Sequence, residues 1–117
     1  MKPGSIVIVH LRDPTEKYWG LLEAIALYGV TLRCLNVESF DDWTRSLAYD
    51  EKPALGLATI FFPMSRVERM FLDERIGDVE SMGELFERRM GRSVESHLRE
   101  IGALADDLAF DLGGEPS

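Results

Sequence analysis

The side chains that could perform chemistry are few in this chain, and they are widely spaced. Its histidines are His10 and His97, and its one thiol is Cys34. No His/Cys spacing resembles a zinc-binding set, and no serine lies in a recognisable nucleophile motif. The acidic groups at 38–42 and 50–51 lack the spacing of a calcium-binding loop. We therefore expect no enzyme activity, no metal and no cofactor.

Four side chains are candidates for binding RNA or a partner. Tyr28 stands beside a glycine at a turn, where an aromatic ring can stack on a base. Arg33, Arg66 and Arg69 could form a basic rim that reaches phosphate groups. The simpler alternatives are that Tyr28 covers one end of the fold, and that the arginines pair with glutamates across neighbouring strands.

Charge is distributed unevenly along the 117 residues. Residues 1–77 carry nine Lys/Arg and eleven Asp/Glu, which gives −2, whereas residues 78–117 carry four and ten, which gives −6. A strongly acidic surface repels the phosphate backbone of RNA. The net charge of −8 therefore disfavours non-specific binding of RNA over the whole protein surface. A local basic patch on the nearly neutral first part remains open.

The sequence also predicts the cellular location of the protein. No apolar run approaches the roughly 18 residues that a membrane-spanning helix needs, so we expect no membrane association. The N-terminus has no small-residue cleavage site after its strand-like start, which disfavours a signal peptide. The lone Cys34 cannot form an internal disulfide. These features predict a cytoplasmic protein.

Alternating and β-branched residues predict five strands in the first part of the chain. Pro14 ends the first strand, and Gly20 marks a bend or a close backbone approach early in the second. The fourth and fifth strands are separated at Pro63, which fixes φ and lacks a donor. The predicted strands are Ser5–Arg12, Tyr18–Leu27, Tyr28–Val37, Leu57–Phe62 and Arg66–Leu72.

Three helices complete the prediction. A short one, Phe40–Ala48, lies in an insertion between the third and fourth strands. After Gly77, Ser81 and Glu84 have the form of a capping box that starts a second helix, and Ser93 caps a third. The third has an apolar stripe that either packs on the strands of the same chain or contacts a neighbouring subunit. Its members are Val94, Leu98, Ile101, Ala105 and Leu108, of which Val94, Leu98, Ile101 and Leu108 are the candidate oligomer contacts.

The pattern of residues 5–73 resembles the Sm-like small β-barrel superfamily, which includes the Sm, LSm and Hfq proteins. The resemblance rests on "VIVHLRDP" as the first strand and its turn, on the glycine-bearing second strand "YWGLLEAIALYGVTLR", and on "IFFPMSRVERM" as a strand, a one-turn 3₁₀ corner and a strand. It implies a mainly β fold: a five-stranded, strongly bent antiparallel barrel over residues 1–76. Residues 77–112 would be an amphipathic helical extension and 113–117 a frayed tail.

The resemblance also bears on function. Family members bind RNA through an aspartate and an asparagine or aromatic residue after the second strand, and through a basic pair at the corner of the fourth and fifth strands. Here Ala26 falls near the aspartate position, Tyr28 near the aromatic one, and Pro63-Met64 replaces the basic pair. We therefore expect a non-catalytic Sm-like scaffold or interaction module that forms a homo-oligomeric ring or dimer, or docks a partner protein. The alternative is an RNA-binding Sm/Hfq-like regulator that uses Tyr28 and the arginine rim.

Overall fold

A computed structural model describes residues 1–49 and 56–104, and it contains a five-stranded antiparallel sheet and three helices. All five predicted strands and all three predicted helices are present, and their ends differ from the prediction by a few residues, except at the C-terminal end of the third helix. The strands are β1 Ile6–Leu11, β2 Glu16–Ala26, β3 Gly29–Asn36, β4 Ala58–Pro63 and β5 Val67–Leu72. The helices are α1 Phe40–Tyr49, α2 Met82–Met90 and α3 Val94–Glu100.

The strands follow the order β4-β3-β2-β1-β5 in the sheet. The two edge strands are therefore β4 and β5, which follow each other along the chain. The predicted closure into a barrel would need these two strands to meet. Within the described residues no ladder joins β4 to β5, and each has one free edge.

The long strand β2 pairs with β1 over residues 16–21 and with β3 over residues 18–26, so the two ladders overlap around Gly20. Gly20 makes this possible, since a Cβ there would lie 2.2 Å from the backbone oxygen of Arg33 and 2.6 Å from the Cα of Cys34. A register shift between Leu22 and Ala24 adds a bulge, which increases the local twist. The close backbone approach predicted at Gly20 is confirmed.

Pro63 ends β4 and begins a 3₁₀ turn at Met64–Arg66 that leads directly into β5. Its φ of −60° and ψ of 143° are extended values that proline adopts without strain. The predicted corner is therefore present.

The two faces of the sheet are buried in different ways. The inner face forms one cluster, to which each strand contributes and no helix does among the described residues. The opposite face, here called the helix face, packs beneath α1, α2 and α3 around Trp19, Trp43 and Phe86. Alternation along the strands sends successive side chains to opposite clusters, as Val7 and Ile8 illustrate. The inner cluster contains Val7, Val9, Leu11, Leu22, Val30, Leu32, Cys34 and Phe62, with Tyr18, Ile60, Met64, Val67 and Met70 beside it.

The helix caps agree with the sequence pattern. Ser81 and Glu84 form a complete capping box at the start of α2, and Ser93 accepts from the backbone N–H of Ser96 at the start of α3. Gly91 ends α2 with a left-handed φ of 75°, which glycine adopts at little cost.

The predicted length of the third helix is wrong. α3 ends at Glu100, and the chain turns through Gly102 at φ 79°. The N–H groups of residues 103 and 104 both return to the carbonyl of Leu98, which closes the helix end. A glycine in the left-handed region therefore overrides a periodic apolar pattern. Ala105 and Leu108, which the pattern included, lie outside the described residues.

Candidate interaction surface

The turn between β2 and β3 meets the corner between β4 and β5 at one end of the sheet. The backbone N–H of Met64 donates to the carbonyl of Tyr28 at 2.9 Å, which fixes the two segments together. Gly29 allows this approach, because a Cβ there would lie 2.4 Å from the ring of Phe61. Both positions that the Sm resemblance associates with RNA are thus brought together.

The side chains at this end are apolar and exposed. Leu27 is 97% exposed and Tyr28 75%, while Ile25 and Phe61 are each about half exposed. The rings of Tyr28 and Phe61 lie 6.2 Å apart, centroid to centroid, at an angle of 42°. We call these four residues and the exposed Pro63 the tip. Neighbouring apolar groups on a surface, such as the Tyr28 and Phe61 rings, are typical of interaction sites, whereas single ones are ordinary. Ile25 lies on the other face of the sheet from Phe61.

The tip continues into the free edge of β4, and this whole region is without charge. Residues 24–32 and 56–65 contain no Asp, Glu, Lys or Arg, although 29% of the chain is charged. The structure places these two stretches side by side, because β3 pairs with β2 on one side and with β4 on the other. Natural edge strands usually carry charges that prevent pairing with other chains. β5, the other edge strand, has Glu68 and Arg69, whereas β4 has no charged residue and carries a proline only at its end.

The predicted arginines lie in three separate places. Arg33, on β3, is half-buried, and its Nε donates to the carbonyl of Leu57 at 3.4 Å. Arg69 is exposed on β5, and its guanidinium lies 3.7 Å from the carboxylate of Glu68. Strands β1 and β2 separate β3 from β5 in the sheet. A single continuous rim would have to cross these two strands.

Arg66 holds the β1–β2 turn. Its guanidinium donates to the carbonyls of Arg12 and Pro14 at 3.1 and 2.9 Å, and it pairs with Glu16 at 3.0 Å. A guanidinium that already uses these acceptors has few donors left for a phosphate. Its contacts indicate a structural role at the corner that Pro63 begins.

A basic row that the sequence did not suggest crosses the helix face. Lys17, His10 and Arg69 stand directly opposite one another on β2, β1 and β5. Burial lowers the pKa of His10, and the neighbouring charges of Lys17 and Arg69 lower it further. The ring of Phe71 meets that of His10 edge-on at 5.1 Å.

The apolar stripe of α3 packs within the same chain as far as the structure describes it. Val94 is 3% exposed and Leu98 1%, and both belong to the cluster under the helices. Ile101, at the end of α3, is 43% exposed and does not continue that buried stripe. Leu108 lies outside the described residues. Of the four candidate helix contacts, Ile101 is therefore the one seen to be accessible.

The buried polar side chains have structural partners. His97 is 4% exposed and lies against the stacked rings of Trp43 and Phe86. One of its ring nitrogens is 3.2 Å from the guanidinium of Arg92. Burial lowers the pKa of His97, and Arg92 lowers it further. Burial raises the pKa of the Cys34 thiol to about 12, which makes it a weak nucleophile.

The surface clefts contain no recognisable catalytic arrangement among the described residues. One cleft, of about 590 Å³, lies between the β1–β2 turn and the start of the insertion. It is lined by Pro14, Thr15, Glu16, Lys17, Asn36, Val37 and Glu38. Across residues 1–49 and 56–104 we find no group of three or more His, Cys, Asp or Glu side chains placed to hold a metal ion.

Comparison with protein-family models, curated proteins and solved structures finds no match to this chain. In the described part of the chain, no helix is long and apolar enough to cross a membrane.

Sequence reasoning identified Tyr28 but missed the surface to which it belongs. Phe61 and Leu27 were treated only as strand residues. The two charge-free stretches are visible in the sequence, but only the sheet order shows that they are neighbours and that one of them is an edge. The absence of charge along β4 is the signal that could have identified this surface.

Proposed function

We propose that this chain is a non-catalytic interaction module with an Sm-like small barrel, and that it self-associates through the edges of its sheet. The observation that carries the proposal is the uncharged free edge of β4. An uncharged edge offers a row of backbone donors and acceptors to a further strand. A protein that keeps such an edge uncharged is expected to pair it.

Two features support the barrel. The inner cluster receives side chains from all five strands, yet its most buried members, such as Val9 and Leu32, are fully shielded without a covering helix among the described residues. A flat sheet would leave that face open to water, so this burial favours a sheet that curves over it. The 3₁₀ corner between β4 and β5 also matches the corner that the Sm resemblance implies.

A scaffold fits the chemistry better than an enzyme does. The buried thiol of Cys34 is poorly nucleophilic, and His97 is enclosed by Trp43 and Phe86. The exposed part of the molecule with the most distinctive composition is the apolar tip. Its aromatic side chains suit contact with protein surfaces, in which aromatic residues are enriched.

The proposal is tested by size-exclusion chromatography with light scattering across the micromolar range. We expect a mass of a dimer or a closed ring that decreases on dilution. A monomer at every concentration would refute self-association.

RNA binding is a second candidate, which the exposed Tyr28–Phe61 pair favours. Two neighbouring aromatic rings can stack on bases of any sequence. The same chromatography with a short U-rich or A-rich RNA tests this candidate, with Tyr28→Ala as the variant. RNA that shifts the wild-type protein but not Tyr28→Ala would support it. The absence of Lys and Arg from residues 24–32 and 56–65 leads us to expect no shift.

A further inference from the structure

We propose that the partner of β4 is β4 of a second copy, so that two chains join antiparallel about a twofold axis close to Phe61. This inference rests on the proposed self-association and specifies its geometry. It differs from a ring, in which two unlike edges would pair. Three observations support it: the direction of the free backbone groups, the symmetry of the side chains, and the contrast with the other edge.

One hydrogen bond shows which residues of β4 direct their backbone groups away from the sheet. The bond from Met64 N–H to Tyr28 C=O makes these residues a hydrogen-bonded pair. The β3–β4 ladder continues from there without a bulge. Hydrogen-bonded and non-hydrogen-bonded pairs alternate along an antiparallel ladder. Ile60 and Phe62 therefore direct their backbone groups towards β3, and the residues between them direct theirs outward.

The outward-facing residues are Thr59, Phe61 and Pro63. Thr59 and Phe61 present both an N–H and a carbonyl, whereas Pro63 presents a carbonyl alone because proline has no N–H. Two antiparallel copies centred on Phe61 place the N–H of each Thr59 opposite the carbonyl of the other Pro63. Proline at this position therefore limits the partner strand without blocking it, which agrees with its occurrence on edges.

The side chains of β4 are complementary to themselves. Phe61 is 49% exposed and points to the helix face, beyond the area that the helices cover. A twofold axis near this residue brings the two phenyl rings together, with each Tyr28 flanking its own Phe61. Twofold dimers are the commonest homo-oligomers, and they use the same patch on both copies. A β4–β4 pair also brings no like charges together, because β4 has none.

The alternative partner, β5 of another copy, is less well matched. It would place Glu68 and Arg69 beside the uncharged strand, where β4 offers no countercharge. Glu68 and Arg69 lie 3.7 Å from each other but are exposed, and removing such a pair from water is unfavourable unless further hydrogen bonds compensate. The observations therefore favour pairing between like edges.

The decisive experiment uses opposite charges at the twofold axis. Phe61→Lys and Phe61→Glu are each expected to weaken dimerisation at least about tenfold, because like charges then face each other across the pair. An equimolar mixture of the two variants is expected to form a heterodimer, because opposite charges then meet. Glu68→Lys, a charge change on the other edge strand, is the matched control and should leave the dimer unchanged. Circular dichroism verifies that each variant is folded.

A backbone variant tests the same geometry independently of side-chain charge. Thr59→Pro removes an N–H that points away from β3, so the β3–β4 ladder should survive while dimerisation is lost. Ile60→Pro removes an N–H that points towards β3 and should instead destabilise the monomer. A dimer that persists in folded Thr59→Pro would overturn the proposal.

The outcomes separate this inference from the proposed function. An oligomer that Glu68→Lys disrupts and Phe61→Lys does not would refute β4–β4 pairing but leave self-association standing. A mixture of Phe61→Lys and Phe61→Glu that stays monomeric would also overturn β4–β4 pairing. A monomeric wild-type chain would refute both, and another partner would then have to occupy β4.

Discussion

Replacing Asp73 by alanine should lower the free energy of unfolding, because this residue links the sheet to the start of α2. Asp73 follows β5, and its carboxylate accepts three hydrogen bonds. Trp19 Nε1 on β2 donates at 3.0 Å, and the backbone N–H groups of Met82 and Gly83 donate at 2.9 and 2.8 Å. One side chain thus satisfies the buried indole of the core and the first two N–H groups of α2. Ser81 satisfies the third N–H of that helix.

The magnitude follows from the groups that would be left without partners. Trp19 is fully buried, and an unsatisfied buried donor costs about 1–3 kcal/mol. Losing the acceptor at a helix N-terminus costs about 1 kcal/mol more. We expect Asp73→Ala to lower the free energy of unfolding by about 3 kcal/mol, which corresponds to a decrease in Tm of roughly 12 °C for a domain of this size.

Asp73→Asn should cost less, about 1 kcal/mol. If its amide oxygen takes the place of Oδ2, it keeps the bonds from Trp19 and Gly83. The amide NH₂ then faces the N–H of Met82, where two donors meet.

The assay is urea unfolding followed by tryptophan fluorescence, repeated by circular dichroism. Glu74→Ala is the matched control, because this exposed neighbour forms no hydrogen bond or ion pair with the described residues. The order of stability should be wild type and Glu74→Ala first, then Asp73→Asn, then Asp73→Ala. An Asp73→Ala protein within about 0.5 kcal/mol of wild type would refute the reasoning, because surface substitutions without a structural role fall in that range.

Three further predictions concern the core. The lowered pKa of His97 means that the unfolded chain binds a proton more readily, so stability should decrease as pH falls below the ordinary value of about 6.5. Urea unfolding across this range should show a smaller decrease for His97→Phe than for His10→Gln, and an equal decrease would contradict this assignment. Gly20→Ala should lower the free energy of unfolding by about 3 kcal/mol, because its methyl group meets backbone atoms of the neighbouring strand. Gly56→Ala, whose new Cβ has no atom of the described residues within 4 Å, is the control and should change little. The Cys34 thiol should not react with a thiol reagent in the folded protein but should react fully in denaturant, and rapid native labelling would disprove its burial.

Much of the local structure could be read from the sequence. Alternation identified the strands, Ser81 and Glu84 identified the start of α2, and Pro63 identified the corner before β5. These features depend on neighbours within a few positions of one another, where backbone geometry and side-chain preferences act directly. The end of α3 was not predicted, because Gly102 adopts a left-handed conformation that an apolar periodicity does not reveal.

The sequence by itself determined that this chain folds into a strand-rich domain with capped helices and no obvious catalytic site. Only the tertiary structure decided which residues are neighbours across the chain. It joined Asp73 to Trp19, separated Arg33 from Arg69, and placed two uncharged stretches side by side with one of them at a free edge. The physical reason is that strand order and side-chain burial are set by packing between distant segments, which local preferences do not encode.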